Sequence, residues 1–90
     1  MDRRDRIETK LTRELEARHV EVIDESHLHA GHAGAASGGG HFRALIVSER
    51  FAGLNAVARQ RLVYATLAEE LEREIHALSL RTLTPGEWSD

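Results

Sequence analysis

Apolar residues recur at every fourth position in two segments of the chain, which is the spacing of an amphipathic helix. In residues 3–18 they are Ile7, Leu11 and Leu15. In residues 56–73 they are Val63, Leu67 and Leu71. Asn55 is a favourable N-cap for the second segment, since its side chain can accept a hydrogen bond from the first turn. The pattern predicts two main helices, of which the second is the longest in the chain.

Three other segments have the alternating pattern of strands. Residues 19–23 place Val20 and Val22 on one face, opposite His19, Glu21 and Ile23. Residues 41–48 place Phe42, Ala44 and Ile46 opposite Arg43, Leu45 and Val47. A strand that is apolar on parts of both faces is typical of the centre of a sheet. Residues 75–83 alternate Ile75, Ala77 and Ser79 against His76, Leu78 and Leu80.

The order of these elements predicts the topology. Residues 84–87 read TPGE, a capping box with proline at the first helical position, and predict a short last helix carrying Trp88. Strands one and two can form an antiparallel hairpin around a flexible loop of about residues 26–40, whereas the helical crossover makes strands two and three parallel. We expect an α+β fold, αββαβα, with a three-stranded mixed sheet packed with helices, in one domain spanning residues 1–90.

Composition restricts the class of protein. Ninety residues with 41% apolar side chains can build one modest core. The formal net charge is −3, so the chain as a whole is not a basic nucleic-acid binder. No apolar run approaches the ~20 residues of a membrane span. The charged start has no apolar segment after it, so we expect no secretory signal, no membrane association and a cytoplasmic location.

Histidine is the only soft-metal ligand type that is abundant here, because the chain has six histidines and no cysteine. Disulfides, thiol catalysis and an iron–sulfur site ligated by this chain's own cysteines are therefore excluded. His27, His29 and His32 lie together in the glycine-rich loop, and His41 follows it. Imidazole near neutral pH is a metal ligand or a proton switch. The residues alone leave open whether these histidines bind metal or are only exposed loop side chains, and whether His76 is a ligand or a half-buried strand residue.

The chain resembles the BolA family over roughly residues 7–88, through a set of short motifs in the family's order. The motifs are Asp24-Glu25-Ser26 followed by His29; His41-Phe42 at a strand start; Val47-Ser48 before Arg50-Phe51 and Gly53; Arg59 and Arg61 within RQRLVYATLAEEL; Ile75-His76-Ala77-Leu78; and Thr84-Pro85 with Glu87-Trp88. Two features depart from the family pattern. Gln60 stands where histidine is usual, and the loop before His41 is longer, with His32 as an extra histidine.

The resemblance implies a domain similar to the class II KH fold, which agrees with the predicted element order. It also implies a non-enzymatic adaptor or regulator that associates with a monothiol glutaredoxin and shares a [2Fe-2S] cluster with it, in iron–sulfur trafficking or iron and redox sensing. His76 matches the strand ligand of the family and His29 the loop ligand, with His27, His32 and His41 as competitors. A glutaredoxin cysteine and glutathione would supply the sulfur. The chain alone is then a monomer without a cluster, and forms a heterodimer with glutaredoxin.

The alternative implied by the resemblance is a DNA-binding transcriptional regulator of stress response and cell morphology. Its candidate contacts are Arg50, Arg59, Arg61 and Arg81, although Arg59 and Arg61 project about 200° apart on a helix. Acidic residues of segment 69–74 count against an extended basic face. The letters of segment 31–34, GHAG, fit a KH motif, but they lie in a strand–strand loop and are a coincidence.

An enzyme is the third class considered. Asp24, Ser26 and His29 could be imagined as a catalytic triad, but they crowd one loop without a strained turn to fix a nucleophile. We therefore predict that the protein is not an enzyme.

Overall fold

The computed structural model describes residues 1–26 and 40–88. The helices are α1 (Arg3–Glu14), α2 (Ala56–Thr66) and α3 (Ala68–Arg73), and the strands are β1 (His19–Asp24), β2 (Gly40–Val47) and β3 (Ile75–Leu83). A 3₁₀ turn, Glu49–Phe51, follows β2. These elements confirm the predicted α+β class and, up to β3, the predicted order.

Helix α1 begins at an Asp2 cap and buries the predicted stripe. The Asp2 carboxylate accepts a hydrogen bond from the Asp5 amide at 2.8 Å, while Ile7, Leu11 and Leu15 are almost fully buried. The helix ends at Glu14, earlier than the predicted residue 18. Glu16 has a φ of 47°, which a right-handed helix cannot accommodate. The buried Ser48 hydroxyl donates to the Leu15 carbonyl at 2.6 Å and fixes this end.

The sheet has the order β1-β2-β3, so β2 is central as predicted. β1 and β2 pair antiparallel, and β2 and β3 pair parallel, which confirms the mixed sheet. The inward face of β2 consists of three almost fully buried residues, Phe42, Ala44 and Ile46. They join Ile7 and Leu11 of α1 and Val63 and Leu67 of the second helical segment in one core.

The predicted alternation of β3 is wrong at its beginning. Gly40 pairs with Ile75 but His41 pairs with Ala77, so that His76 is an extra residue in β3. Such a bulge re-aims the side chain and shifts the alternation by one. Leu78 and Leu80 consequently pack against the core, whereas both His76 and Ala77 are exposed.

The long helix is interrupted and the last helix is not formed within the described residues. Leu67, fully buried, leaves helical geometry at φ −101° and ψ 21° and divides the predicted helix into α2 and α3. The Asn55 cap is confirmed, because its side chain accepts from the Ala58 amide at 2.9 Å. At the other end the Thr84–Glu87 capping box forms, but residues 85–87 are a hydrogen-bonded turn rather than a helix.

Across residues 1–26 and 40–88, none of the helices is both long enough and apolar enough to cross a membrane.

Candidate functional site

Two histidines meet where β2 and β3 begin. The ring centroids of His41 and His76 lie 5.3 Å apart, with their planes tilted by 48°. The bulge produces this contact, because the extra residue in β3 turns the His76 side chain beside β2. His76 is exposed and His41 is half-buried. Solvent or a partner protein can therefore approach the pair from the His76 side.

The last described residues before the loop are held beside the same pair. The Ser26 hydroxyl accepts a hydrogen bond from the His41 amide at 3.1 Å, and the Glu25 amide donates to the His41 carbonyl at 2.7 Å. Asp24 in turn accepts from the Ser26 amide at 2.9 Å. Asp24 and Ser26, which were considered for a catalytic triad, thus form a turn that fixes where the loop leaves β1.

Gly40 is the first residue of β2 after the loop, at a position where only glycine fits without displacing a neighbour. A Cβ there would lie 2.5 Å from Phe42 Cε2 and 3.0 Å from Ser26 Oγ. The Gly40 amide donates to the Glu74 carbonyl at 2.9 Å, which ties the start of β2 to the residue before β3. Because Gly40 has no side chain, the two ends of the loop can lie close together beside the histidine pair.

The structure brings together only part of the predicted ligand set. His41 and His76 are adjacent, while His27, His29 and His32 lie outside the described residues. Within the segments that the structure describes, no group of three or more histidine, cysteine, aspartate or glutamate side chains could hold a metal ion. From the sequence, His41 is only a competitor for the loop-ligand position. Its contact with His76 depends on the bulge, which no spacing in the sequence reveals.

The four candidate arginines do not form one surface. The Arg59 side chain is only 13% exposed. Its guanidinium donates to the Leu54 carbonyl at 2.9 Å, the Thr82 carbonyl at 3.1 Å and Glu87 at 2.7 Å. Arg50 forms an ion pair with Glu16. Arg61 on α2 and Arg81 on β3 are exposed. The internal contacts of Arg59 argue against a role for it in binding phosphate.

The Arg59 contact also controls a titratable group. Hydrogen bonds from the Arg59 guanidinium, and next from the Thr84 amide, lower the pKa of the Glu87 carboxyl to about 2. Glu87 therefore remains ionised throughout the neutral range. The C-terminal turn is attached to α2 by a charged contact, and Trp88 stacks on His19 of β1 with ring centroids 4.7 Å apart.

Comparison with known proteins identifies the family. The family described as "BolA-like protein" matches residues 11–87. The "DNA-binding transcriptional regulator BolA" of Vibrio cholerae is 50% identical over 84 residues, covering 93% of this chain and 76% of the relative. The protein of the same name in Escherichia coli is 46% identical over 85 residues, covering 94% and 78%. The structure of "BolA1 from Arabidopsis thaliana" has a TM-score of 0.83 and 40% identity, covering 99% of both chains. The chain therefore belongs to the BolA family.

Proposed function

We propose that this protein is a non-enzymatic adaptor that pairs with a monothiol glutaredoxin and contributes histidine ligands to a shared [2Fe-2S] cluster. The single observation that carries the proposal is the exposed His76, which the β3 bulge places next to His41. This role belongs to iron–sulfur trafficking or to iron and redox sensing in the cytoplasm. The protein alone is then a cluster-free monomer.

The histidines of this chain suit the iron of such a cluster that is ligated by imidazole nitrogens. Two histidines can replace two thiolates on one iron. Metal–nitrogen bonds are about 2 Å long, so two rings on one metal have centres about 5 to 6 Å apart. The 5.3 Å between His41 and His76 lies in this range. The distance between the two rings is therefore compatible with ligation of one metal ion.

The loop can bring a further imidazole to the same place. Ser26 is bonded to the His41 amide, and His29 follows Ser26 by three residues, a reach of at most ~11 Å. We assign His76 as the strand ligand and His29 as the second ligand, with His41, His27 and His32 as its competitors. The chain has no cysteine, so the sulfur ligands for the other iron would come from a glutaredoxin cysteine and from glutathione.

In this proposal the residues of this chain bind and orient the cluster and do not react themselves. The bulge fixes the direction of His76, the Ser26 hydroxyl and Gly40 fix the two ends of the loop, and the half-buried His41 forms the inner wall. When bound, the cluster would supply electron-transfer or cluster-transfer chemistry. A protonated imidazole cannot ligate iron, so binding requires neutral histidines.

Co-expression with the organism's monothiol glutaredoxin tests this proposal. The protein alone should purify colourless. With glutaredoxin, glutathione and iron, a 1:1 complex should elute and show [2Fe-2S] absorption that differs from the absorption of the glutaredoxin homodimer. If adding this chain changes neither the elution nor the spectrum, the adaptor function is wrong.

Direct DNA binding in transcriptional regulation is the second candidate. The observation in its favour is the name of the two bacterial relatives, which are called DNA-binding transcriptional regulators. The exposed arginines Arg50, Arg61 and Arg81 are its candidate contacts, and Arg59 is no longer among them. The net charge of −3 predicts weak, salt-sensitive binding.

A further inference from the structure

The outward face of the sheet contains an ordered cluster of side chains that the histidine site does not use. The strand registers align them in two rows of three. One row is Ile23, Arg43 and Ser79, and the other is Glu21, Leu45 and Arg81. These six residues line a cavity of about 250 Å³. Ile23 is 50% exposed although it is aliphatic, so the face has an open apolar patch between its charges.

Two arginines approach the cavity from neighbouring strands. Arg43 pairs with Ser79 and Arg81 lies two residues further along β3, so both guanidiniums border the same apolar floor of Ile23 and Leu45. Arg43 bonds to Glu25 through its Nε, at 3.2 Å. Within residues 1–26 and 40–88, Arg81 has no ion pair. Guanidinium groups beside an apolar surface bind carboxylates through paired hydrogen bonds.

We infer that this cavity binds a small organic carboxylate, whose anionic end contacts Arg43 and Arg81 and whose apolar end contacts Ile23 and Leu45. The cavity, of about 250 Å³, is smaller than the pockets of about 300 to 1,000 Å³ that hold drug-sized ligands, so the ligand is a small acid of a few carbon atoms. Ser79 adds a hydroxyl that can donate to the same carboxylate. The inference goes beyond the proposed function and does not depend on the histidine ligands.

The charges around the cavity favour a small anion over nucleic acid. Glu21, with a side chain 55% exposed, lines the cavity itself, and Glu25 borders Arg43. An extended polyanion laid across the face would meet both carboxylates. A single carboxylate carries one negative charge, so it meets less repulsion from Glu21 and Glu25 than an extended polyanion does.

Titration of the ¹⁵N-labelled full chain at constant ionic strength tests the inference, with butyrate and glutarate as probes and butyramide as the uncharged control. Both acids should shift the amides of Arg43, Leu45 and Arg81 saturably, whereas butyramide should not. Arg81→Gln should weaken binding about tenfold, the loss expected from one charged hydrogen-bonded contact. Arg61→Gln, which removes an exposed arginine on α2, is the matched control and should leave the affinity unchanged.

Three outcomes would overturn the inference. The first is a response that does not saturate or that sulfate reproduces at equal concentration. The second is an equal loss in the Arg61→Gln and Arg81→Gln variants, since binding would then depend only on total charge. The third is a DNA duplex that shifts the same amides at lower concentration than either acid, which would assign these arginines to nucleic acid.

Discussion

His76 is exposed because of one extra residue in β3, and this single displacement creates the candidate site. Without the bulge, strict alternation would have placed His76 on the same face as Leu78 and Leu80, which pack against the core. With the bulge, the imidazole lies beside His41 at the surface. The site therefore depends on one irregular residue, while the surrounding pairs of the ladder remain regular.

Substitution of different histidines should weaken the cluster spectrum of the glutaredoxin complex to different extents. His76→Ala should abolish the altered cluster spectrum of the glutaredoxin complex while leaving the fold intact, since an exposed side chain is removed. His29→Ala should weaken the spectrum only in part, because His27 and His32 are close enough in sequence to replace it. The triple change of these three histidines should complete the loss.

Circular dichroism of the cluster in each purified complex gives the measurement. His41→Ala is the necessary comparison and should reduce the signal less than His76→Ala does. If His41→Ala abolishes the signal and the triple loop variant leaves it unchanged, the second ligand is His41. If His76→Ala has no effect, the strand histidine is structural.

The Glu87 carboxyl should make the C-terminal turn sensitive to acid. Its pKa is lowered from 4.5 to about 2 by the Arg59 and Thr84 hydrogen bonds. A depressed pKa stabilises the folded turn above the unfolded value, and the contribution is lost as pH falls from about 4.5 through 2. NMR titration of the Glu87 carboxyl carbon should show this pKa, and the amide of Trp88 should shift with it.

Glu87→Gln should remove the chemical-shift change of the Trp88 amide that occurs in the wild-type chain as the pH falls from about 4.5 to about 2. Glu72→Gln, an exposed change on α3, is the control and should preserve it. A Glu87 titration near 4.5 in the wild-type chain would show that the Arg59 contact does not persist in solution.

At the scale of elements, tertiary contacts decide where helices and strands end. The apolar stripe of α1 continues to Leu15, yet the helix stops because the Ser48 hydroxyl bonds to the Leu15 carbonyl. The second stripe runs from Val63 to Leu71, yet the helix breaks at the buried Leu67. Neither boundary interrupts the apolar spacing, so the spacing alone does not reveal where these helices end.

The start of β2 gives a prediction at this scale. Gly40→Ala should lower the free energy of unfolding by about 1 to 3 kcal/mol, because the added Cβ would overlap the Phe42 ring in a packed core. Gly86→Ala is the matched control: its Cβ would be no closer than 3.9 Å to a neighbour, so its effect should stay within about 0.5 kcal/mol. Urea denaturation of both variants gives the measurement. Equal stability of the two variants would contradict the close packing at Gly40.

At the scale of the whole molecule, charge is distributed rather than concentrated. Ion pairs join α1 to the α3 region through Lys10–Glu70 at 3.0 Å and through Arg6–Glu74. The hydrogen bonds that Lys10 donates to the Glu70 carboxylate raise the pKa of Lys10. Much of the basic charge is thus neutralised within the fold, and the exposed arginines that remain lie on separate elements.

Any DNA affinity should therefore be weak and steeply salt-dependent. Arg50→Ala, Arg61→Ala and Arg81→Ala should each reduce binding, and a residue that contacts phosphate should lower the salt slope by about one. Fluorescence anisotropy with a labelled duplex at several salt concentrations gives the measurement. Sequence-specific binding at physiological salt that survives all three changes would place the DNA contact on another surface.

The sequence by itself determined the class of fold, the order and pairing of the strands, and the buried faces of α1, β2 and the second helical segment. It also determined the N-cap at Asn55 and the capping box of Thr84 and Glu87, because periodicity and capping chemistry act over a few neighbouring residues. Composition alone excluded thiolates of this chain as ligands, and the family resemblance of the sequence made His76 a candidate ligand. The tertiary structure decided the helix ends, the bulge, the contact of His41 with His76 and the internal role of Arg59. Each of these depends on which residue of one strand or helix faces which residue of another, and that register is fixed only when the core packs.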